Sequence, residues 1–211
     1  MALLPVSDAL DRLLKISAPL ARLEMVDLHN AMGRVLASDI AALVTHPAFD
    51  NSAMDGYAGH HEDFAEVGME LVVIGESAAG RGFGGDVGRG EAVRILTGAP
   101  VPAGADAVLI QEDAEKLPDG RIRTTFALAK GRHIRPKGQD FSIGDVVLRA
   151  GQVLDAGRLT VAAGMNHPRL PVLAQPKVAI LATGDELRPP GSVPGPDQII
   201  ASNTSSLAAT A

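Results

Sequence analysis

The amino-acid sequence predicts an α+β protein with several domains. We expect a discontinuous outer domain of mixed α/β structure that carries an inserted small β-rich domain and is followed by the truncated start of an α/β domain. Three observations support this prediction. A helical pattern near the N terminus gives way to short strands near residue 44, helical spacing returns near residue 155, and a continuous apolar run begins at Val178. The expected boundaries are 1–43 and 141–175 for the outer domain, 44–140 for the insert, and 176–211 for the α/β start.

Composition limits the classes of protein to which the chain can belong. Of its 211 residues 46% are hydrophobic and 21% are charged, which is enough apolar material for a packed core. A net charge of -6 and an aromatic content of 3% argue against nucleic-acid binding. The absence of cysteine excludes disulfides and thiol chemistry. No apolar run approaches the roughly 18 residues that span a membrane, and the first residues lack the positive charge of a signal peptide. We therefore expect a cytoplasmic protein that binds no membrane.

The N-terminal segment carries two stretches with helical spacing. Residues 7–17 place apolar side chains on one face, with Ser7 available as a cap. Residues 30–38 repeat the pattern and predict a second helix. Between them, residues 24–28 alternate in polarity and predict a short strand.

Short segments separated by turn residues predict the β-rich insert. The strand-like segments are 70–74, 92–96, 107–110 and 121–126. Residues 118–120, Pro-Asp-Gly, are a turn signal, and seven of the sixteen residues 75–90 are glycine, too many for a helix.

Beyond the insert, the pattern returns to mixed α/β. Residues 144–153 predict a hairpin, and Asp155 can cap a helix that ends near Gly164. The apolar run 178–182 predicts a strand buried on both faces, with a helix beginning near Ser205. One strand and a short helix cannot bury their own apolar faces. We therefore expect a fragment of a longer protein, or a partner that supplies the missing layers.

A polar loop at residues 47–58 is the first candidate for function. Asp50, Asn51, Ser52 and Asp55 can hydrogen-bond the local backbone, and aromatic or apolar neighbours can fix the loop to a core. A held loop that presents a carboxylate is typical of a functional site. The alternative is an ordinary turn in which Asp55 acts as a cap.

Two further segments have the composition of an anion site. Thr97 and Gly98 follow a predicted strand and can offer a hydroxyl and free amides to an oxyanion. Residues 130–140 contain four cations and end in Asp140, with proline and glycine restricting the backbone. The alternatives are a rigid strand exit for the first segment and a solvated charged face for the second.

The fourth candidate follows the apolar run. Thr183, Gly184, Asp185 and Glu186 lie at the carboxyl end of the predicted strand, where open α/β sheets bind ligands. Paired acids at that position favour a divalent metal or hydroxyl groups, and the alternative is a helix capping box. The histidine pair His60–His61 has no partner at metal-ligand spacing and indicates a solvated surface.

Together these segments resemble the molybdopterin molybdenumtransferase family, which includes the bacterial MoeA protein and the gephyrin E domain. The resemblance rests on four motifs in the family's order: residues 49–58 (FDNSAMDGYA), 95–102 (ILTGAPVP), 134–140 (IRPKGQD) and 178–187 (VAILATGDEL). It implies the domain order given above, with a larger α/β domain that binds the pterin and of which this chain contains only the start. A small C-terminal β-barrel, also implied, is absent from the sequence.

The resemblance also implies a reaction, which is insertion of molybdate into adenylylated molybdopterin with release of AMP, assisted by Mg²⁺. By motif position, the implied catalytic residues are Asp55, Thr97, Asp140 and Glu186, and the three acids are also the implied metal ligands. The implied cofactor-binding residues are Ser52, Thr97, Gly98, Arg135, Lys137, Thr183, Gly184 and Asp185. Carboxylates can hold Mg²⁺ against phosphates while cations offset the charge of molybdate.

The resemblance further implies a homodimer whose active site is shared between subunits. The acids and glycines that the family places later in the α/β domain are missing from this chain, so we expect the fragment alone to be inactive. Two other functions stay open at this point. One is a dimerising scaffold of the gephyrin type, in which the carboxylate loops are structural. The other is a small β-rich anion carrier, which the basic segment alone would allow.

Overall fold

The computed structural model describes residues 4–18 and 21–211. Residues 1–3, part of the stretch for which no signal peptide is predicted, lie outside the described residues. The chain divides into two compact units, a larger one of residues 25–172 and a smaller one that combines the described residues up to 24 with residues 173–211. No helix in the described ranges has the length and apolar character needed to cross a membrane.

The described chain contains more strand segments than helices, and most of the strands are short. The α-helices are α1 (Val6–Ile16), α2 (Ala156–Gly164) and α3 (Asn203–Thr210). Single turns of 3₁₀-helix cover Leu28–Asn30, His61–Phe64 and Gln111–Asp113. The strands are β1 (Leu23–Asp27), β2 (Ile40–Ala41), β3 (Asn51–Ser52), β4 (Gly56–Gly59), β5 (Glu70–Ser77), β6 (Glu91–Ile95), β7 (Ala107–Ile110), β8 (Ala114–Lys116), β9 (Arg121–Thr124), β10 (Ile134–Arg135), β11 (Val146–Leu148), β12 (Arg169–Leu173), β13 (Leu187–Arg188) and β14 (Ile199–Ile200).

A six-stranded sheet forms the centre of the larger unit. Its strand order is β7-β4-β6-β5-β9-β8, with β5 and β6 parallel and the other pairs antiparallel. Apolar side chains from five of these strands and from the turn at Phe64 form a buried cluster that includes Tyr57, Leu71, Leu109 and Ile122. Burial of such side chains removes apolar surface from water and stabilises the sheet.

Gly56 is needed at the start of β4 because two strands close on it. It lies opposite Ile95 of β6 on one side and Ile110 of β7 on the other. A Cβ atom at Gly56 would overlap the backbone carbonyl oxygen of Leu109. Glycine therefore lets the sheet close directly behind Asp55.

A second core lies beside the sheet in the larger unit. Its buried residues come from two separated segments, with Ala31, Leu36 and Ile40 before the sheet and Leu154 and Leu170 among those after it. The two segments are joined by the pairing of β2 with β11. The chain thus contributes to this core both before and after the central sheet, and the domain boundaries proposed from the sequence stay a prediction.

Local patterns located several elements correctly. Helices α1 and α2 and strands β1, β5, β6, β7 and β9 occur where spacing predicts them, with ends shifted by a few residues. Asp155 caps α2 as expected, because its side chain accepts a hydrogen bond from the backbone N–H of Arg158 at 2.8 Å.

Two predictions in the larger unit are wrong. Residues 30–38 form no α-helix, because Gly33 adopts a left-handed φ of 73° and the following residues form β-bridges. Val35 pairs with Val153, and Leu36 pairs with Val172. The predicted hairpin at 144–153 is also absent, since β11 pairs with β2 instead.

The smaller unit departs from the prediction as well. Residues 178–182 form no strand, and the ordered pair in this unit is instead the parallel pairing of β13 with β14. A lone apolar run without neighbouring strands has no partner for its backbone groups. Helix α1 leaves the side chains of Val6, Leu13, Leu14 and Ile16 exposed.

Candidate active site

Three of the four predicted segments meet at the loop before β4. On one side, the N–H of Ser52 donates to the carbonyl of Ala99 at 3.0 Å, and the N–H of Gly98 donates to the carbonyl of Ser52 at 2.8 Å. On the other side, β3 pairs with β10, and the N–H of Ala53 donates to the carbonyl of His133 at 2.9 Å. The loop is therefore held between the segment of Thr97 and the basic segment.

Asp55 is fixed by Thr97. One oxygen of the Asp55 carboxylate, Oδ1, accepts hydrogen bonds from the backbone N–H and from the hydroxyl of Thr97, both at 2.7 Å. The turn that presents these donors contains Gly98 at a φ of 79°, a conformation that favours glycine. The hydroxyl bond and then the amide bond lower the pKa of Asp55, so the carboxyl is ionised at neutral pH.

This geometry changes the interpretation of both residues. Thr97 offers its hydroxyl and amide to an oxyanion, as its sequence context predicts, and in the structure that oxyanion is the carboxylate of Asp55. Asp55 caps no helix in the described chain. It is presented at the end of the loop, partly exposed, with its orientation set by Thr97.

The backbone carbonyls of Asp55 and Gly56 are held by two residues that sequence reasoning did not identify. The N–H of Gln111 donates to the carbonyl of Asp55 at 3.0 Å. Arg94 donates from Nη1 to the carbonyl of Gly56 at 3.1 Å and from Nη2 to Oε1 of Gln111 at 2.8 Å. Arg94 lies among the apolar residues of the predicted strand 92–96, and this was the available signal, since charged residues are rarely buried without a partner.

The hydroxyl of Ser52 forms hydrogen bonds within its own loop. Its side chain is buried, its hydroxyl donates to the carbonyl of Met54 at 2.6 Å, and the N–H of Met54 donates back to the same oxygen at 3.3 Å. Beside it, the side-chain oxygen of Asn51 is buried and has no hydrogen-bond partner among the described residues. The serine hydroxyl thus fixes the turn that leads to Asp55.

The carboxylate of Asp140 accepts hydrogen bonds from the side chains of Arg135 and His46. Both of its carboxylate oxygens accept hydrogen bonds at 2.7 Å from Nη2 of Arg135, and Oδ2 lies 2.9 Å from Nδ1 of His46. The bond from Arg135 and then that from His46 lower the pKa of Asp140. His46, which stacks on Phe141, was also missed by sequence reasoning, because its partner lies 94 positions along the chain.

The basic segment is anchored to the same loop through its backbone. The N–H of Lys137 donates to Oδ1 of Asp50 at 2.7 Å, and the N–H of Gly138 donates to the carbonyl of Pro47 at 2.9 Å. Within the described ranges, the side chains of Arg132 and Lys137 form no ion pair with a carboxylate. The segment is thus a shaped loop that leaves two cations available.

The fourth segment belongs to the smaller unit. Thr183, Gly184, Asp185 and Glu186 are exposed and form a turn closed by a hydrogen bond from the N–H of Leu187 to the carbonyl of Gly184 at 3.1 Å. The carboxylate of Glu186 folds back over Gly184, where a Cβ atom would lie 2.5 Å from Oε2. Glycine therefore makes room for the acid in this turn.

The residues do not form a metal site by themselves. Among the described residues, no three acidic, histidine or cysteine side chains are grouped so that they could hold a metal ion. Both oxygens of Asp140 already accept hydrogen bonds from cationic or polar donors, and one oxygen of Asp55 accepts two from Thr97. The metal assignment of Asp55, Asp140 and Glu186 stays a prediction.

Comparison with known proteins supports the resemblance given by the four motifs. Residues 4–165 match the family described as the MoeA N-terminal region (domain I and II). The chain is 39% identical over 188 residues to molybdopterin molybdenumtransferase 2 of Mycobacterium tuberculosis (strain CDC 1551 / Oshkosh), a match that covers 87% of this chain and 46% of that protein. It is 38% identical over 189 residues to the molybdopterin molybdenumtransferase of Staphylococcus aureus (strain MSSA476), a match that covers 87% of this chain and 44% of that protein.

A solved structure gives the same result for the fold. The crystal structure of the molybdopterin biosynthesis moeA protein from Pyrococcus horikoshii OT3 superposes with a TM-score of 0.88 at 34% identity, covering 99% of this chain and 56% of that one. The chain thus has the mixed α/β fold of that protein over nearly its whole length. It spans about half the length of the curated relatives that it matches.

Proposed function

Because the chain belongs to the family of the MoeA N-terminal region, we propose that it is the N-terminal part of a molybdopterin molybdenumtransferase. The whole protein would insert molybdate into adenylylated molybdopterin and release AMP, and this chain would supply one part of the active site. The observation that carries the proposal is the convergence of two separated segments, that of Thr97 and the basic segment, on the loop of Asp55.

Asp55 is proposed to act as an ionised carboxylate. Its lowered pKa makes it a poor proton donor at neutral pH, whereas it can accept a proton or a hydrogen bond or bind a cation. Oδ1 is occupied by Thr97, which leaves Oδ2 as the atom that would face the substrate. Thr97 would therefore act by orienting Asp55.

The basic segment is proposed to attract the anionic substrates. Arg132 and Lys137 carry charges that no carboxylate offsets within the described ranges, so they would draw in dianionic molybdate or the phosphates of the adenylylated pterin. The charge of Arg135 is already paired with Asp140. We therefore assign Arg135 to shaping the loop and Lys137 to binding.

We also propose that the whole protein acts as a homodimer and requires Mg²⁺. The larger unit contains no metal site of its own within the described residues. Magnesium sites in phosphate chemistry commonly combine one or two carboxylates with the phosphates of the substrate. Binding of the ion would then depend on the substrate.

The test uses a strain that lacks its own transferase. The full-length natural protein is expected to restore the activity of molybdenum enzymes, and Asp55→Asn is expected to abolish the restoration. Asp119→Asn is the matched control, because Asp119 also accepts hydrogen bonds from a backbone N–H and from Arg121, but lies in the turn between β8 and β9. Full restoration by both Asp55→Asn and Asp119→Asn would contradict the role proposed for Asp55, whereas a failure of the unchanged protein to restore activity would favour a scaffold role.

A further inference from the structure

Arg94 and Gln111 form a clamp on the backbone carbonyls of Asp55 and of Gly56, the residue that follows it. Arg94 comes from β6 and Gln111 follows β7, the two strands that flank β4. Gln111 donates its backbone N–H to the carbonyl of Asp55 at 3.0 Å, and Arg94 donates to the carbonyl of Gly56 at 3.1 Å. Two consecutive carbonyls are thus fixed from opposite sides of the strand.

The clamp is closed by a bond between its two members. Nη2 of Arg94 donates to the side-chain oxygen of Gln111 at 2.8 Å, so the guanidinium bridges the neighbouring strands. The same guanidinium lies 5.2 Å above the ring of Tyr57, its cross-strand neighbour, within the range of a cation–π contact. A planar guanidinium can make these contacts at once, whereas an ammonium group cannot reproduce them.

The clamp belongs to the same chain segment as the partner of the Asp55 carboxylate. Thr97 follows Arg94 by three residues, so one segment fixes both the backbone carbonyl of Gly56 and the side chain of Asp55. We propose that Arg94 is a positioning residue, which with Gln111 sets the place of Asp55 and thereby its contact with Thr97. This inference rests on the proposed function only where it concerns the reaction. The charge of Arg94 also contributes to the lowered pKa of Asp55, after the two bonds from Thr97.

A structural role for Arg94 in the sheet is the alternative, and it makes a different prediction. If Arg94 only stabilised the sheet, Arg94→Gln would lower the midpoint of unfolding and would change the pKa of Asp55 only through the lost charge. The amide resonance of Thr97 would then stay in place, and Gln111→Ala would leave Asp55 as in the wild type. Positioning predicts a change at Asp55 while the sheet stays folded. The carboxyl resonance of Asp55 and the amide proton of Thr97 report this change directly in the present chain.

The experiment compares Arg94→Gln, Gln111→Ala and Arg121→Gln by NMR. Arg94→Gln removes the bridge and the charge. Gln111→Ala removes the side-chain amide, which accepts from Arg94 and donates to Oε1 of Glu112 at 3.2 Å, and it keeps the backbone N–H. Arg121→Gln is the control, because Arg121 lies in β9 of the same sheet and pairs with Glu70 and Asp119. We expect an upward shift of the Asp55 pKa and a moved Thr97 amide resonance in Arg94→Gln, a smaller effect in Gln111→Ala, and neither in the control.

The result that would overturn the inference is an unmoved Thr97 amide resonance in both Arg94→Gln and Gln111→Ala together with a wild-type titration of Asp55 in Gln111→Ala, since a pKa shift in Arg94→Gln alone is the effect of the lost charge. If Arg94→Gln fails to fold, Gln111→Ala decides alone, since it leaves the charge and the backbone bonds in place. In the full-length protein, Arg94→Gln is expected to lower kcat by roughly 10- to 100-fold with little change in KM, the order of loss produced by small misplacement of a reacting group, with Arg94→Lys restoring only part of it. If Asp55 moves in the NMR experiment but Asp55→Asn retains wild-type activity, the proposed function fails and the positioning stands.

Discussion

Thr97 binds Asp55 through two donors that meet at one oxygen. The backbone N–H and the hydroxyl of Thr97 both lie 2.7 Å from Oδ1 of Asp55, although the two residues are 42 positions apart in the chain. Because both bonds favour the charged form, they lower the pKa of Asp55 and the carboxyl stays ionised at neutral pH. This pair defines the candidate site more closely than any single motif.

The first prediction concerns this pair. Replacing Thr97 by valine removes the hydroxyl donor and keeps the backbone N–H, so the pKa of Asp55 is expected to rise toward its ordinary value. Thr97→Ser keeps a hydroxyl and is expected to leave the pKa close to that of the wild type. Titration of the Asp55 carboxyl carbon by NMR measures both. An identical pKa in the valine variant would show that the hydroxyl does not stabilise the charge.

A second prediction tests why glycine is needed directly after Asp55. In Gly56→Ala the added methyl group would overlap the carbonyl oxygen of Leu109, so the strands must separate. We expect a loss of about 2 kcal/mol or more in the free energy of unfolding, at the upper end of overpacking effects. Gly84→Ala is the control, since nothing lies within 4 Å of its added Cβ. Its effect should stay within about 0.5 kcal/mol, and denaturant unfolding that gives equal values for both variants would contradict the packing described.

A third prediction concerns acid sensitivity at Asp63, which is only 4% exposed. Burial raises the pKa of Asp63, but hydrogen bonds from Arg89 at 3.0 Å and from the N–H of Gly90 at 2.9 Å outweigh it and leave the pKa below its ordinary value. A group of this kind contributes stability above its unfolded pKa of about 3.9, and the contribution is lost as the pH falls through the lower folded pKa.

Replacement of this side chain by asparagine therefore has two expected effects. Asp63→Asn should lose roughly 1–3 kcal/mol at pH 7, the cost of leaving buried partners unsatisfied, and the difference from the wild type should shrink below about pH 4. Glu62→Gln is the control, because Glu62 pairs with the same Arg89 at an exposed position. Parallel stability curves for the wild type and Asp63→Asn across acid pH would refute the assignment.

The fourth prediction concerns Mg²⁺. No three potential ligands are grouped in the described part of the chain, so Mg²⁺ alone is expected to leave the carboxyl resonances of Asp55 and Asp140 unmoved at millimolar concentration. Titration of the chain with Mg²⁺, with the carboxyl resonances of Asp55 and Asp140 followed by NMR, tests this prediction. A saturable shift of both resonances would mean that the chain builds a metal site without substrate.

Local signals explain which parts of the fold were predictable. Helix α2 has its cap at Asp155 and its apolar spacing within ten residues, so local sequence alone is enough to predict the helix. Val35 and Leu36 have helical spacing too, but they pair with Val153 and Val172, more than a hundred positions away. Tertiary pairing overrides local spacing at such positions, and periodicity alone cannot predict it.

At the candidate site, too, local features could be predicted from the sequence and long-range contacts could not. Motif residues such as Asp55 and Asp140 could be named from the sequence, because turn chemistry and paired charges are local features. Their partners Arg94, Gln111 and His46 could not, since they are brought there by the register of β4 with its neighbours or by the return of the chain at Phe141. An arginine within an otherwise apolar strand was a usable signal for the first of them.

The most direct test of the central claim is a single-turnover assay of the full-length protein with adenylylated molybdopterin and molybdate, in which AMP release is followed for the wild type, Asp55→Asn and Asp119→Asn. We predict that Asp55→Asn slows the step by at least about 100-fold, as expected when a positioned carboxylate is removed from the chemistry, while Asp119→Asn keeps the wild-type rate. A wild-type rate in Asp55→Asn would contradict the account.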